Sequence, residues 1–331
     1  MNNLPGKLYS LEEAVGILAD GRPCTVAADI ALLKKLPKGN WIGGSIPYFI
    51  GQDGGTDTKE KIFIHELPDT ARRPNIRLYD KAALPTICQD APENGFSILI
   101  LPAFSEAHQE FAKNAPSYED MYMKPLIGWI SGMHLNDLGN QPAFVINGQT
   151  GEVSNDQAIV LHLTLPNDSV ANIGIINLFN QGEGDSIQFL ENGFKVRNCL
   201  INGKLTNLAQ YLTSQETDTK LPLVADYSGA LINVSFQSVN TEKGFVEFYA
   251  PVFTETEYKI AAKVDNYVQT FQKNIPEDTA STVFSCNCIL NYLYSELAGK
   301  KTGNLTGPIT FGEIAYQLLN QTLVYLTIDT I

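Results

Sequence analysis

Apolar residues recur along this chain with two periods, and the period changes from one segment to the next. Between 10 and 20, Leu11, Ala14, Val15 and Leu18 fall at i, i+3, i+4 and i+7, which lines one face of a helix. Ser10 with Glu13 forms a capping box ahead of that face, and Gly21 suits its exit. Residues 24–28 then read as a strand of small side chains, and Asp29 as the cap of a short helix through Leu36. After the break at Pro37-Lys38-Gly39, Trp41-Ile42 reads as a second strand. The order is β-α-β, running into a turn at Gly43-Gly44-Ser45. A near-continuous apolar run at 96–101, with Ser105 capping a helix that reaches Asn114, gives a further β-α step.

From 144 to 202 the period shortens to two. Ile159, Leu161, Leu163 and Leu165 alternate with Val160, His162 and Thr164, which puts His162 on the polar side of a strand. Asn-Gly pairs at 147–148, 192–193 and 202–203 supply hairpin turns, so this stretch reads as antiparallel sheet. A helical pattern at 205–213 leads into polar 214–220, read as a linker. Strands at 232–238 and 246–249 follow, then a helix around 264–271. The expected fold is α/β in the broad sense (mixed α+β): a two-lobed layered architecture of mixed β-sheets flanked by helices, with lobes at 1–213 and 221–331.

Composition narrows the function classes. With 331 residues and 44% hydrophobic content the chain has ample material for a core. A formal charge of −13 argues against a phosphate-backbone partner, since polyanions reward clustered Lys and Arg. Adjacent basic pairs at 34–35, 72–73 and 300–301 read as solvated surface. The N-terminal Met-Asn-Asn-Leu-Pro-Gly-Lys lacks the apolar run of a secretory signal, and no long uncharged stretch suits a bilayer. Five cysteines, at 24, 88, 199, 286 and 288, make no disulfide framework. A cytoplasmic protein without membrane insertion or nucleic-acid binding is expected.

Three motifs carry chemistry. The glycines of Ile42-Gly43-Gly44-Ser45 would let backbone N–H groups approach an anion, or would simply make a tight turn. Val283-Phe284-Ser285-Cys286 sets a thiol at the end of a buried strand, a nucleophile if a base lowered its pKa and otherwise a buried structural cysteine. With Cys288 it offers two thiolates to a metal, but no second pair stands at comparable spacing, so no metal site is expected. Phe311-Gly312-Glu313 joins a flexible turn to a carboxylate that can accept hydrogen bonds from an ammonium group.

In order, 282–290 ends a buried strand in Phe284-Ser285-Cys286, a helix bears Glu296, Phe311-Gly312-Glu313 turns, and Asn320-Gln321-Thr322 introduces the last strand. This succession resembles the closing segment of a FIST domain, and Ile42-Gly43-Gly44-Ser45 resembles a turn near that family's start. The two resemblances bracket most of the chain. One departure is that Asn287-Cys288-Ile289 stands where the family commonly has an Arg after the turn cysteine.

The resemblance implies a non-enzymatic, sensory module of signal transduction that binds a small molecule such as an amino acid. On that basis Glu313 would take the amino group and the Gly43 and Gly44 backbone with Ser45 the carboxylate. Cys286, Asn287, Gly312 and Asn320 complete the expected ligand-binding set. Because the sequence ends at Ile331 just after its last strand, any signal is expected to leave through a separate signalling protein or a change of oligomeric state. No cofactor is expected. Some FIST proteins bind haem and sense nitric oxide, and His134 and His162 would be the candidate axial ligands for that function. Two further functions stay open at this point: a protein-interaction scaffold, and an enzyme using Cys286 or Cys24.

Overall fold

The two runs at 96–101 and 158–164 that the pattern marks as strands lie side by side at the centre of the protein. The computed structural model describes residues 6–331 other than 228, 277, 278 and 280, so most of the N-terminal heptapeptide lies outside the described residues. The fold is mixed α+β with strand well in excess of helix, 43% against 16%. The central sheet has the order Gln317–Leu319, Glu313–Ala315, Leu126–Ser131, Gly95–Pro102, Ala158–Thr164, Arg72–Tyr79. Leu126–Ser131 runs parallel to Gly95–Pro102, with the helix Glu106–Asn114 in the crossover between them.

Both faces of the sheet's middle strands are covered, which is why Gly95–Pro102, Leu126–Ser131 and Ala158–Thr164 read as nearly unbroken apolar runs. Ile98, Ile100, Trp129, Ile159 and Leu161 point into a core shared with two further sheets, meeting Ala27 and Ile42 from one and Phe284 and Val324 from the other. Leu99, Leu101, Ala158 and Val160 point the opposite way, onto Phe111 of the helix and onto Phe189, Val246, Phe248 and Tyr258 of two antiparallel sheets. The first neighbouring sheet contains the β-α-β unit: Cys24–Ala28 and Trp41–Ser45 pair in parallel, and helix Leu11–Ala19 covers the outside. Ser10 and Glu13 form the expected reciprocal cap.

The C-terminal strands are woven into sheets that the N-terminal half begins. Gly307–Thr310 pairs with Tyr48–Gly51, Glu313–Ala315 with Leu126–Ser131, and Leu323–Thr330 with Ser169–Ile176. Four of the five sheets among the described residues thus contain strands from both sides of 214–220. The hairpin at 198–207 turns through Asn202 (φ 48°) and Gly203 (φ 78°), the two left-handed positions that Asn-Gly satisfies.

Several local expectations need correction. The helix expected at 205–213 spans Leu208–Ser214, because Lys204–Asn207 is consumed as a hairpin strand. The helix after Asp29 stops at Leu33. The C-terminal helix ends at Tyr294, leaving Glu296 outside it at φ 52°. His162 is not on a polar face: its strand is central, so the ring is buried and bonded by Tyr79 Oη (2.9 Å) and Ser97 Oγ (2.7 Å).

The turn expected at Gly43-Gly44-Ser45 is instead the end of a strand. Gly43 and Gly44 pair with Val26 and Ala27 on one side and with Ile146 and Val145 on the other. Glycine is required here by sheet-to-sheet contact: a Cβ on Gly44 would lie 2.8 Å from Ile100 Cγ2 and from Trp129 Nε1. Gly44→Ala should therefore destabilise the protein by about 1–3 kcal/mol through overpacking, read as a lower urea midpoint. A midpoint equal to wild type would show that this contact is slack.

Candidate functional site

Among the described residues Glu313 is the one acidic residue in the fully buried set, at 0% exposure. Its place follows from the turn before it. Phe311 N–H donates to the Ile130 carbonyl (3.1 Å) and Ile130 N–H to the Gly312 carbonyl (2.8 Å), fastening the turn to the end of Leu126–Ser131. A side chain on Gly312 would press on Leu318 Cδ1 at 3.0 Å and Ile130 Cγ1 at 3.1 Å. The strand Glu313–Ala315 then pairs with Leu126–Ser131 and Gln317–Leu319, and the Glu313 carboxyl reaches the neighbouring sheet.

Thr322 meets that carboxyl twice, donating to Oε2 from its hydroxyl (2.9 Å) and from its backbone N–H (3.3 Å). Thr310 Oγ1 lies 3.3 Å from Oε1, but its single proton is also within reach of the Asn287 and Gly312 carbonyls, at 3.2 and 3.0 Å. With the proton on either carbonyl, the hydroxyl oxygen is left to accept from a protonated carboxyl. No ion pair among the described residues supplies Glu313 with a cation. Burial pushes its pKa up to about 8, and hydrogen bonds from Thr322, Cys288 and Thr310 pull only part of the way back.

Around the acid lie amides with unused hydrogen-bonding capacity. Asn291 Nδ2 donates to Asn287 Oδ1 (3.0 Å) and to the carbonyl of Thr322 (3.3 Å), while Asn320 Nδ2 donates to the Leu319 carbonyl (3.0 Å). Asn287 Nδ2, Asn291 Oδ1 and Asn320 Oδ1 have no protein partner, although all three residues are at least 98% buried. Buried polar atoms are rarely left so, and three in adjoining segments mark a centre equipped for more contacts than the chain itself makes.

Of the residues singled out in the sequence, Cys286, Asn287, Gly312, Glu313 and Asn320 belong to this centre or to the strands that frame it. Gly43, Gly44 and Ser45 do not join it through any described contact. Ser45 Oγ is spent on the Gly132 carbonyl (2.7 Å) and the Phe144 N–H (2.9 Å), and the glycines on their ladders. Thr310, Thr322 and Asn291 were missed. The spacing of Asn287 and Asn291 across a strand-to-helix junction was the available signal for the last.

The cysteines are all buried, and burial raises each thiol: Cys24 to about 12, Cys88 and Cys199 to about 11, Cys286 and Cys288 well above the usual range. Cys286 Sγ rests on the Gly128 carbonyl at 3.4 Å. His162 has both ring nitrogens engaged, and His134 accepts from Asn136 N–H and stacks on Tyr48. No group of three or more potential metal ligands occurs among the described residues, and no helix there is long and apolar enough to cross a membrane.

The fold and this centre define a mixed α+β protein built around a buried, unpaired acid. The chain belongs to a family of unknown function, DUF6976, whose pattern matches residues 9–329. No curated protein matches it.

Glu313 sets a pH dependence with a definite sign. Its folded pKa is raised above the ordinary value of 4.5, so the stability it contributes is full below about 4.5 and is lost as pH rises through about 8. His65, His108 and His162, lowered by burial to about 4, act in the opposite sense as pH falls below 6.5, but equally in wild type and in a Glu313→Gln variant. Urea unfolding between about pH 5 and about pH 9 should show wild type losing ground to Glu313→Gln by at most ~1.4 kcal/mol per pH unit, levelling above about 8. Parallel curves would mean that Glu313 ionises normally.

Proposed function

We propose that this chain is a non-enzymatic small-ligand-binding protein of signal transduction, of FIST type and cytoplasmic, whose ligand brings an ammonium group to Glu313. The observation that supports this reading is the buried carboxyl itself, raised to about 8 and without a cationic partner among the described residues, beside three amide atoms with no protein partner. A cation placed against such a group favours its ionised form and draws its pKa down. At neutral pH the acid holds its proton, so ligand binding exchanges that proton for an ammonium group. The free Oδ1 atoms of Asn291 and Asn320 then suit further N–H protons of the ammonium group, and Asn287 Nδ2 an acceptor oxygen of an amino acid or similar metabolite. The raised thiols weigh against a cysteine-dependent enzyme, because a nucleophilic cysteine needs its thiolate. His162, with both ring nitrogens engaged, and His134, whose Nδ1 accepts from Asn136 N–H and so leaves the ring hydrogen on Nε2, weigh against a haem axial ligand on either.

Thermal unfolding against a panel of amino acids and primary amines tests the reading, since any ligand of the native state raises the midpoint by mass action. A dose-dependent rise is expected with an amine and none with its N-acetylated form. Calorimetry at neutral pH in buffers of different ionisation enthalpy should register release of about one proton on binding. Glu313→Gln should abolish both signals; a variant that responds as wild type does would remove Glu313 from the site.

A further inference from the structure

A cavity lies away from the Glu313 carboxyl, between the start of helix Glu106–Asn114 and the three-stranded sheet of Gly193–Val196, Phe245–Val252 and Phe236–Asn240. Its volume is about 220 Å³, and Phe104, Phe194, Phe248 and Phe311 line it. The one imidazole in its wall, His108, is buried at 7% exposure, and its Nε2 has no protein partner.

The tautomer of His108 follows from its other nitrogen. Phe104 N–H donates to Nδ1 at 3.1 Å, so Nδ1 presents its lone pair. Burial lowers the ring's pKa to about 4, which keeps it neutral at pH 7 and leaves the hydrogen on Nε2. Phe104 reaches this position at φ 66°, a left-handed conformation that a bulky residue rarely adopts. Its ring meanwhile packs edge-on against Phe311, with centroids 6.4 Å apart. The result is a fixed N–H donor in a wall built mainly of aromatic rings, with Gln109 and Gln237 as the other polar side chains along it. Lys113 Nζ stands 5.8 Å from the centroid of the lining residue Phe194, giving the surroundings a positive charge.

An occupant that engages this donor offers a hydrogen-bond acceptor on a flat apolar body. The volume limits its size: a dry apolar cavity of about 150 Å³ accommodates benzene, so this one holds a single ring with a short substituent. We infer that the cavity is a binding site for a small aromatic carboxylate or carbonyl compound, whose oxygen accepts from His108 Nε2–H while its ring lies among Phe104, Phe194, Phe248 and Phe311. The site is separate from the ammonium-binding centre proposed for Glu313 and does not depend on it.

Titrating histidine-15N-labelled protein with phenylacetate, phenylacetamide and toluene tests this directly. Phenylacetate and phenylacetamide should each bind about tenfold or more tightly than toluene, the worth of a hydrogen bond to an otherwise unsatisfied buried donor. Both should move the His108 Nε2 resonance and leave its Nδ1 acceptor character unchanged. Tighter binding of the anion than of the amide would reflect Lys113. His108→Phe should reduce both acceptor probes to the affinity of toluene. Equal affinity for the three probes, an unmoved Nε2 resonance, or no binding by any probe would each overturn the inference; the resonance is read on the unaltered protein, so it stands even if a His108 variant fails to fold.

Discussion

The pairing of Glu313–Ala315 with Leu126–Ser131 is the constraint on which both polar features depend. It extends the central sheet with residues from the far end of the sequence and fixes a three-residue turn against Ile130. Successive positions of that turn then face different surroundings. Phe311 contributes to an aromatic wall, Gly312 fits only because it has no side chain, and Glu313 enters the space between two sheets. A shift of register by one residue would reverse these assignments, sending the carboxylate toward the aromatic rings.

Much of the fold was legible because the strands and helices declare their own periods. The capped helix after Ser10, the parallel pair at 24–28 and 41–45, the strand at 96–101 with its helix, and the Asn-Gly hairpin at 202–203 all rest on local chemistry. What could not be read locally was sheet partnership. Gly43-Gly44 has the letters of a turn, and only the approach of Ile100 and Trp129 from another sheet explains why a strand needs two glycines there. Alternation at 158–164 likewise suggested one wet face, but the second core covers it, and His162 finds its partners in Tyr79 and Ser97.

The acid centre was partly legible for a related reason. Glu313 and Asn320 stand in short motifs near turns, where polar letters attract notice. Asn291 and Thr322 do not, since their significance comes from a chain of contacts, Thr322 bonding the carboxyl and Asn291 bonding Thr322 from a helix start. His108 carried no signal at all: it reads as an ordinary helical residue, and its role in the wall of a cavity depends on a neighbour's unusual backbone.

The late arrival of the C-terminal strands has a kinetic consequence. Until Gly307–Thr310, Glu313–Ala315 and Leu323–Thr330 are in place, Tyr48–Gly51, Leu126–Ser131 and Ser169–Ile176 each present an unpaired edge, and the core between the sheets is open. Contacts so distant in sequence slow folding, and open edges recruit other chains. A chain shortened before residue 307 would keep those edges exposed, so its loss shows first as aggregation during synthesis rather than as a weakened native state.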